Sequence, residues 1–118
     1  EQGLTRIISA TRYSWQGLRA AWKHEAAFRQ EASLALIGFP LAYFLARDTN
    51  DFLLLTLPLL LLMLAELANS AIEAIVDRLG DEPDELSGRA KDMGSAMVFM
   101  AIVMAMLSWG TLLGRQLL

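Results

Sequence analysis

The chain contains no cysteine and one histidine. That excludes a disulfide framework, a thiol nucleophile and the histidine-rich zinc sites of hydrolases, and it leaves the redox compartment unread. Positive charge is not in excess either: ten Lys and Arg stand against thirteen Asp and Glu, a formal net charge of −3. No basic surface points to nucleic acid as a partner. The sequence also lacks a Walker-type phosphate loop, a soluble-kinase catalytic-loop signature and a serine–histidine pairing. No cleavable signal peptide is expected, because charges run through the first twenty residues with no separate apolar stretch. The chain opens on Glu1 rather than Met, which points to a trimmed N-terminus or an omitted tail. Internal repeats and low-complexity linkers are absent.

What is present is grease, unevenly interrupted. Hydrophobic residues make up 55% of the chain and the mean hydropathy is +0.40, too apolar for an ordinary small soluble domain. Charges gather in Glu1–Glu31, Arg47–Asp51 and Asp77–Asp92. The three apolar segments left between, about Ala32–Ala46, Phe52–Val76 and Met93–Leu113, read as membrane spans. The first is short at its apolar core. Gly38, Pro40 and Pro58 are tolerable inside such helices, because neighbours can satisfy the freed backbone groups.

Ahead of the spans, Leu4, Ile7, Ile8, Thr11, Trp15, Leu18 and Trp22 recur at spacings of three and four. They predict an amphipathic helix lying in the bilayer interface, with tryptophans at headgroup depth. A helix packed on the bundle is the plainer alternative. His24, alone in its segment, reads as a surface residue, and the methionines from Met93 to Met106 read as lipid-facing or filler. The Gly110 and Gly114 pair is weak as a packing motif.

The expected architecture is an all-α membrane protein. It comprises one domain over 1–118, with helices over about 4–24, 29–47, 51–78 and 84–115. Arg47 to Asp51 reads as a tight polar turn, Gly80 as a helix stop, and Pro83 as the first residue of the last helix. Most cations precede the first span or lie between the second and third. The positive-inside rule then puts the N-terminus and the acidic loop, Asp81 to Glu85, in the cytoplasm.

The second span carries an anomaly. At about 100° per residue, Glu66, Asn69, Ser70, Glu73 and Asp77 fall within one arc of roughly 100°. Apolar residues fill the rest of the surface. An acidic residue at mid-bilayer costs about 2.5–3.5 kcal/mol, and each leucine returns about 0.3–0.6. The nine leucines between Leu53 and Leu64 make insertion feasible, but the carboxylates must face protein, a wet cleft or a metal ion. Glu25, Glu66, Asn69, Glu73, Asp77 and Asp92 are oxygen ligands suited to magnesium, and Arg6, Arg89 and Lys91 are cations suited to phosphates. Such a set fits phosphoryl transfer. It fits an ion-coupled carrier nearly as well, and a structural ion-pair role is the bland reading. On the last helix Glu85, Arg89, Asp92 and Ala96 share one face, so this face is expected to close a site against the second span.

Four blocks carry a resemblance. Ser14-Trp15-Gln16-Gly17-Leu18, Glu25 to Glu31, Glu66-Leu-Ala-Asn-Ser-Ala-Ile-Glu-Ala-Ile-Val-Asp-Arg78 and Glu85-Leu-Ser-Gly-Arg-Ala-Lys-Asp-Met-Gly-Ser95 resemble the bacterial integral-membrane diacylglycerol kinase family. The resemblance covers essentially the whole chain. It implies a homotrimer in the bacterial cytoplasmic membrane, with three spans and one interfacial helix per protomer, unrelated to soluble kinases. It implies transfer of the ATP γ-phosphate to the primary hydroxyl of diacylglycerol, giving phosphatidic acid. By that resemblance Glu66 is the general base, and Glu25 and Glu73 hold a magnesium ion. Asn69, Lys91 and Arg6 serve the phosphates, while Asp77, Asp92, Tyr13 and Ser14 serve the nucleotide and its surroundings. Glu66, Ser95 and Glu31 face the lipid. The site is expected to combine an N-terminal segment from one protomer with the second and third spans of another. One departure stands out: a family member carries an aromatic and a histidine before the Glu-Leu-Ser motif, where this chain has Pro83 and Asp84. Contacts to adenine and ribose through that loop are therefore not carried over. A related branch phosphorylates undecaprenol, and the Trp-rich helix and the Glu25–Glu31 block favour the diacylglycerol branch.

Overall fold

The computed structural model describes residues 2–80 and 82–118; Glu1 and Asp81, the latter part of the expected acidic loop, lie outside the described residues. Among the described residues every regular element is a helix: α1 Gln2–His24, α2 Ala26–Leu45, α3 Thr49–Arg78 and α4 Glu85–Leu117. The connections are short, and they follow local chemistry. Glu25 breaks α1 from α2 with an extended backbone. Asp48 caps α3, its side chain accepting the Asp51 N–H at 2.9 Å, so helix begins at Thr49 and the expected turn from Arg47 to Asp51 shrinks to its first residues. Gly80 takes φ +115° just past the last turn of α3, as a glycine stop should. Pro83 is not the first residue of α4. Asp84 takes the capping place instead by accepting the Ser87 N–H at 3.0 Å, and the helix starts at Glu85.

α3 is the hub, packed against α4 along most of its length and against α2 beside it, while α1 reaches the bundle mainly through α2. The tightest packing lies at the Asp51 end. There Ala42, Leu55 and Leu112 are buried, with Leu45, Phe52 and Trp109 against them. Pro58 has no N–H to offer the Leu54 carbonyl. The next carbonyl, Leu55 O, accepts from Trp109 Nε1–H at 2.9 Å, a cross-helix bond that ties α4 to α3 beside the proline. Gly38 sits where a Cβ would collide with Leu59, so α2 approaches α3 closely at this level.

Two of the described helices, α3 and α4, are long and apolar enough to cross a bilayer. α2 is not, because Arg29, Gln30 and Glu31 occupy its first turns. The first of the three expected spans is thus the least apolar. In α4 only 11% of the most apolar window is buried within the chain. Phe99, Met100, Met106 and Leu107 are all exposed on it. A continuous apolar surface of that size belongs against lipid or against other protein, not water.

Candidate active site

The polar stripe on α3 is graded. Glu66 and Asn69 are buried at 6% and 9% exposure, Ser70 and Glu73 are half-buried, and Asp77 is exposed. The stripe therefore leads from the protein interior to an open helix end in three turns. α4 crosses it at Gly94, where an added Cβ would run into Asn69 Oδ1, so any side chain there has to displace the Asn69 amide. One turn before, Lys91 Nζ meets Asp77 Oδ1 at 3.0 Å and links the open ends of α3 and α4. Both partners are about half exposed or more, so the bridge adds about 0–1 kcal/mol at most. From α2, Glu31 is near enough to Glu66 for the two acidic groups to repel.

Hydrogen bonding along the stripe is incomplete. Among the described residues, the buried side-chain oxygens with no partner in this chain are Glu31 Oε1, Asn69 Oδ1 and Ser70 Oγ. Two lie on the stripe and the third faces it. Buried polar atoms are nearly always satisfied, so a cluster of unpaired oxygens marks a place built to receive donors or cations.

Glu25 caps α2 by position but spends no side-chain bond there. With Ser14 and His24 it lines a cavity of about 690 Å³ that α3 closes with Leu67, Ser70, Ala71 and Ala74. His24 is exposed, as expected of a surface residue. Within one chain, then, Glu66, Asn69, Glu73, Asp77 and Lys91 lie along the α3–α4 seam, Glu31 faces it from α2, and Ser14 and Glu25 reach α3 at Ser70. Arg6 and Tyr13 are not brought there: they line a shallow cavity on α1 with Gln2, Thr5, Ser9 and Ala10. Asp92 and Ser95 are exposed on α4.

The expected inward face of α4 is corrected. Glu85, Arg89, Asp92 and Ala96 are all exposed, and Arg89 pairs with Glu85 at 3.9 Å along the helix. The face turned to α3 carries Lys91, Gly94, Ala101 and Leu112, roughly opposite on the helical wheel. Close approach on a bare glycine decides the rotation, and a wheel read for polar residues misses that. Arg29 was missed as well. Its Nη1 donates to the Trp22 and Lys23 carbonyls at 2.7 and 3.2 Å, satisfying the open end of α1 and fixing the α1–α2 corner beside Glu25. Its signal in the sequence was its place in the Glu25 to Glu31 block.

Oxygen donors fit a hard divalent cation. Among the described residues no three His, Asp or Glu converge on one point. Magnesium does not require it, since one or two carboxylates complete its shell with substrate phosphates and waters. The fold and the stripe together define a helical membrane protein with an oxygen-rich polar site along one of its long apolar helices. Comparison with known proteins is specific. The profile described as prokaryotic diacylglycerol kinase matches residues 12–113. The diacylglycerol kinase of Escherichia coli (strain K12) is 55% identical over 111 residues, covering 94% of this chain and 91% of that protein. The Haemophilus influenzae diacylglycerol kinase is 50% identical, covering 94% of each chain. That of Pseudomonas aeruginosa is 44% identical over 96% of this chain and 92% of its own. The chain belongs to the prokaryotic diacylglycerol kinase family.

Proposed function

We propose that this chain transfers the γ-phosphoryl group of ATP to the primary hydroxyl of diacylglycerol at the α3 stripe, giving phosphatidic acid and ADP. The observation that carries the reading is the graded stripe itself, in a chain of this family. A buried carboxylate at membrane depth can meet a lipid hydroxyl, while the exposed end three turns away is open to a nucleotide. Glu66 takes the hydroxyl proton as the new O–P bond forms. The bond from phosphorus to the bridging oxygen breaks, and its electron pair leaves on ADP. Asn69 and Lys91 hold the phosphates in line, and Lys91 exchanges Asp77 for phosphate oxygens as nucleotide binds. Arg6, Tyr13, Ser14, Asp77 and Asp92 surround the nucleotide, and Ser95 and Glu31 lie by the lipid. Glu25 and Glu73 would hold magnesium, which when bound neutralises charge on the β- and γ-phosphates.

In this reading α2, the least apolar of the three, crosses with α3 and α4 while α1 lies in the interface. The stripe then opens to the cytoplasmic side of a bacterial inner membrane, and the cation bias of the loops supports that orientation. The working unit is a homotrimer with composite sites. Arg6 and Tyr13 are remote from the seam of their own chain, and the apolar surface of α4 is left uncovered by its own chain. The test is phosphatidic acid formation from magnesium-ATP and short-chain diacylglycerol in mixed micelles, with a co-assembly arm. Glu25→Ala and Glu73→Ala chains, each inactive alone, recover part of the wild-type turnover when mixed before assembly. No turnover by the wild type overturns the kinase reading, and no recovery on mixing overturns the composite site.

A further inference from the structure

α1 is held to the rest of the chain at one end. Among the described residues Ala21 is its one buried side chain, and Leu4, Ile7 and Trp15 are exposed. Between its second half and α3 lie cavities of about 720 and 690 Å³, so α3 does not grip it there. On the proposed interfacial placement, lipid fixes the depth of α1 and leaves its heading in the membrane plane to the corner with α2.

That corner carries a clamp. The Ala21 carbonyl still receives the Glu25 N–H at 2.9 Å, and there the helical ladder stops, because Glu25 is extended at φ −117° and ψ 107°. The next two carbonyls, of Trp22 and Lys23, are left at the open end of α1. Arg29 Nη1 donates to both, at 2.7 and 3.2 Å. Its stretch of α2 is rooted by the buried ring of Phe28. One cation thus spans the break, and positive charge at a helix C-terminus also suits the helix dipole. The leverage is large: at 1.5 Å per residue Arg6 lies about 27 Å from His24, so a turn of about 10° at the corner carries it about 5 Å.

We propose that Arg29 is a positioning residue for nucleotide binding: it locks the angle between α1 and α2 and so aims Arg6 and Tyr13 at the nucleotide. The inference rests on the assignment of those two residues to the nucleotide. They sit away from the seam of their own chain, so where they arrive depends on the heading of α1. The role differs from a lipid contact. Arg29 shapes KM for ATP through α1, whereas a lipid contact shapes KM for diacylglycerol.

The test compares Arg29→Ala and Arg29→Lys in the assembled protein. Alanine releases α1, and KM for ATP rises about tenfold while KM for diacylglycerol is unchanged. A single nitrogen makes both bonds, so the lysine ammonium restores the clamp and KM for ATP stays within about threefold of wild type. A second reading does not depend on turnover. The chain has no cysteine of its own, so spin labels on Gly3→Cys and Leu79→Cys report α1 against α3, with labelled chains diluted in unlabelled ones. Pulsed EPR gives a narrow distance in the wild type and in Arg29→Lys, and one broadened by about 5 Å or more in Arg29→Ala. A distance that stays narrow in Arg29→Ala overturns the proposal, as does a rise in KM for diacylglycerol alone. Equal rises in KM for ATP in the lysine and alanine variants overturn it too. Arg6→Ala leaves the corner intact and tests the underlying assignment separately: KM for ATP rises with the distance still narrow. If KM for ATP does not move there while Arg29→Ala broadens the distance, the nucleotide role of Arg6 fails and the clamp on α1 stands.

Discussion

α3 carries two buried carboxylates, Asp51 at its first turn and Glu66 near its middle, at 5% and 6% exposure. Burial is the same and partnering is opposite. Asp51 receives both Arg115 Nη groups from α4 and the Arg47 N–H at 3.0 Å. Beside it Gln116 Nε2 donates to the Leu45 carbonyl at 2.6 Å, so the α2–α3 turn is closed over the end of α4. Glu66 instead has a second acid, Glu31, near enough to repel it, and the unpaired oxygens of Asn69 and Ser70 one turn along the helix. A buried charge with its full set of donors is a fastener, and one left short of donors is a site waiting for them. The difference separates the structural end of the bundle from the working end, which the count of acidic residues alone does not.

The contrast can be broken at either end. An effect on stability and turnover together is expected from Gly94→Leu, which forces α4 away from Asn69. Overpacking there costs on the order of 1–3 kcal/mol. Displacing Asn69 and Lys91 lowers turnover by about 100-fold. Unfolding curves in detergent and the micelle assay read the two separately. A smaller and one-sided effect is expected from Asp51→Asn, which lowers the unfolding midpoint and leaves kcat and both KM values alone. The Arg115 guanidinium and the Arg47 N–H hold the Asp51 carboxyl below its ordinary value of 3.8. A depressed carboxyl contributes stability that is complete above the ordinary value and is lost as pH falls through the folded one. The gap between wild type and Asp51→Asn is therefore constant from neutral pH to about 4 and closes below it, as unfolding midpoints across that range will show.

How far the sequence reaches follows the same division. Periodicity was enough to find an all-helical chain with long apolar helices and to place Glu66, Asn69, Ser70, Glu73 and Asp77 on one face, because a helix face is a local property. Gly80 as a stop was equally local. Pairings between distant residues were out of reach. Asp51 and Arg115 lie 64 residues apart, and nothing near either predicts the other. Glu31 and Glu66 were each singled out, but their approach depends on how α2 leans on α3. The start of α4 was misread because a proline near a helix start is a weaker signal than an aspartate that caps it. Its inward face was misread because the feature that decides it, the missing side chain of Gly94, does not show on a wheel of polar residues.

Both carboxylates are best interrogated together. Glu66→Gln and Asp51→Asn each remove one buried negative charge from α3, and phosphatidic acid formation and unfolding midpoint are measured for both. Glu66→Gln is predicted to lose kcat by about 100- to 10,000-fold with nucleotide binding and unfolding midpoint near wild type. Asp51→Asn is predicted to do the reverse. Near-normal turnover in Glu66→Gln, or a loss of turnover in Asp51→Asn as large as that in Glu66→Gln, would contradict the account.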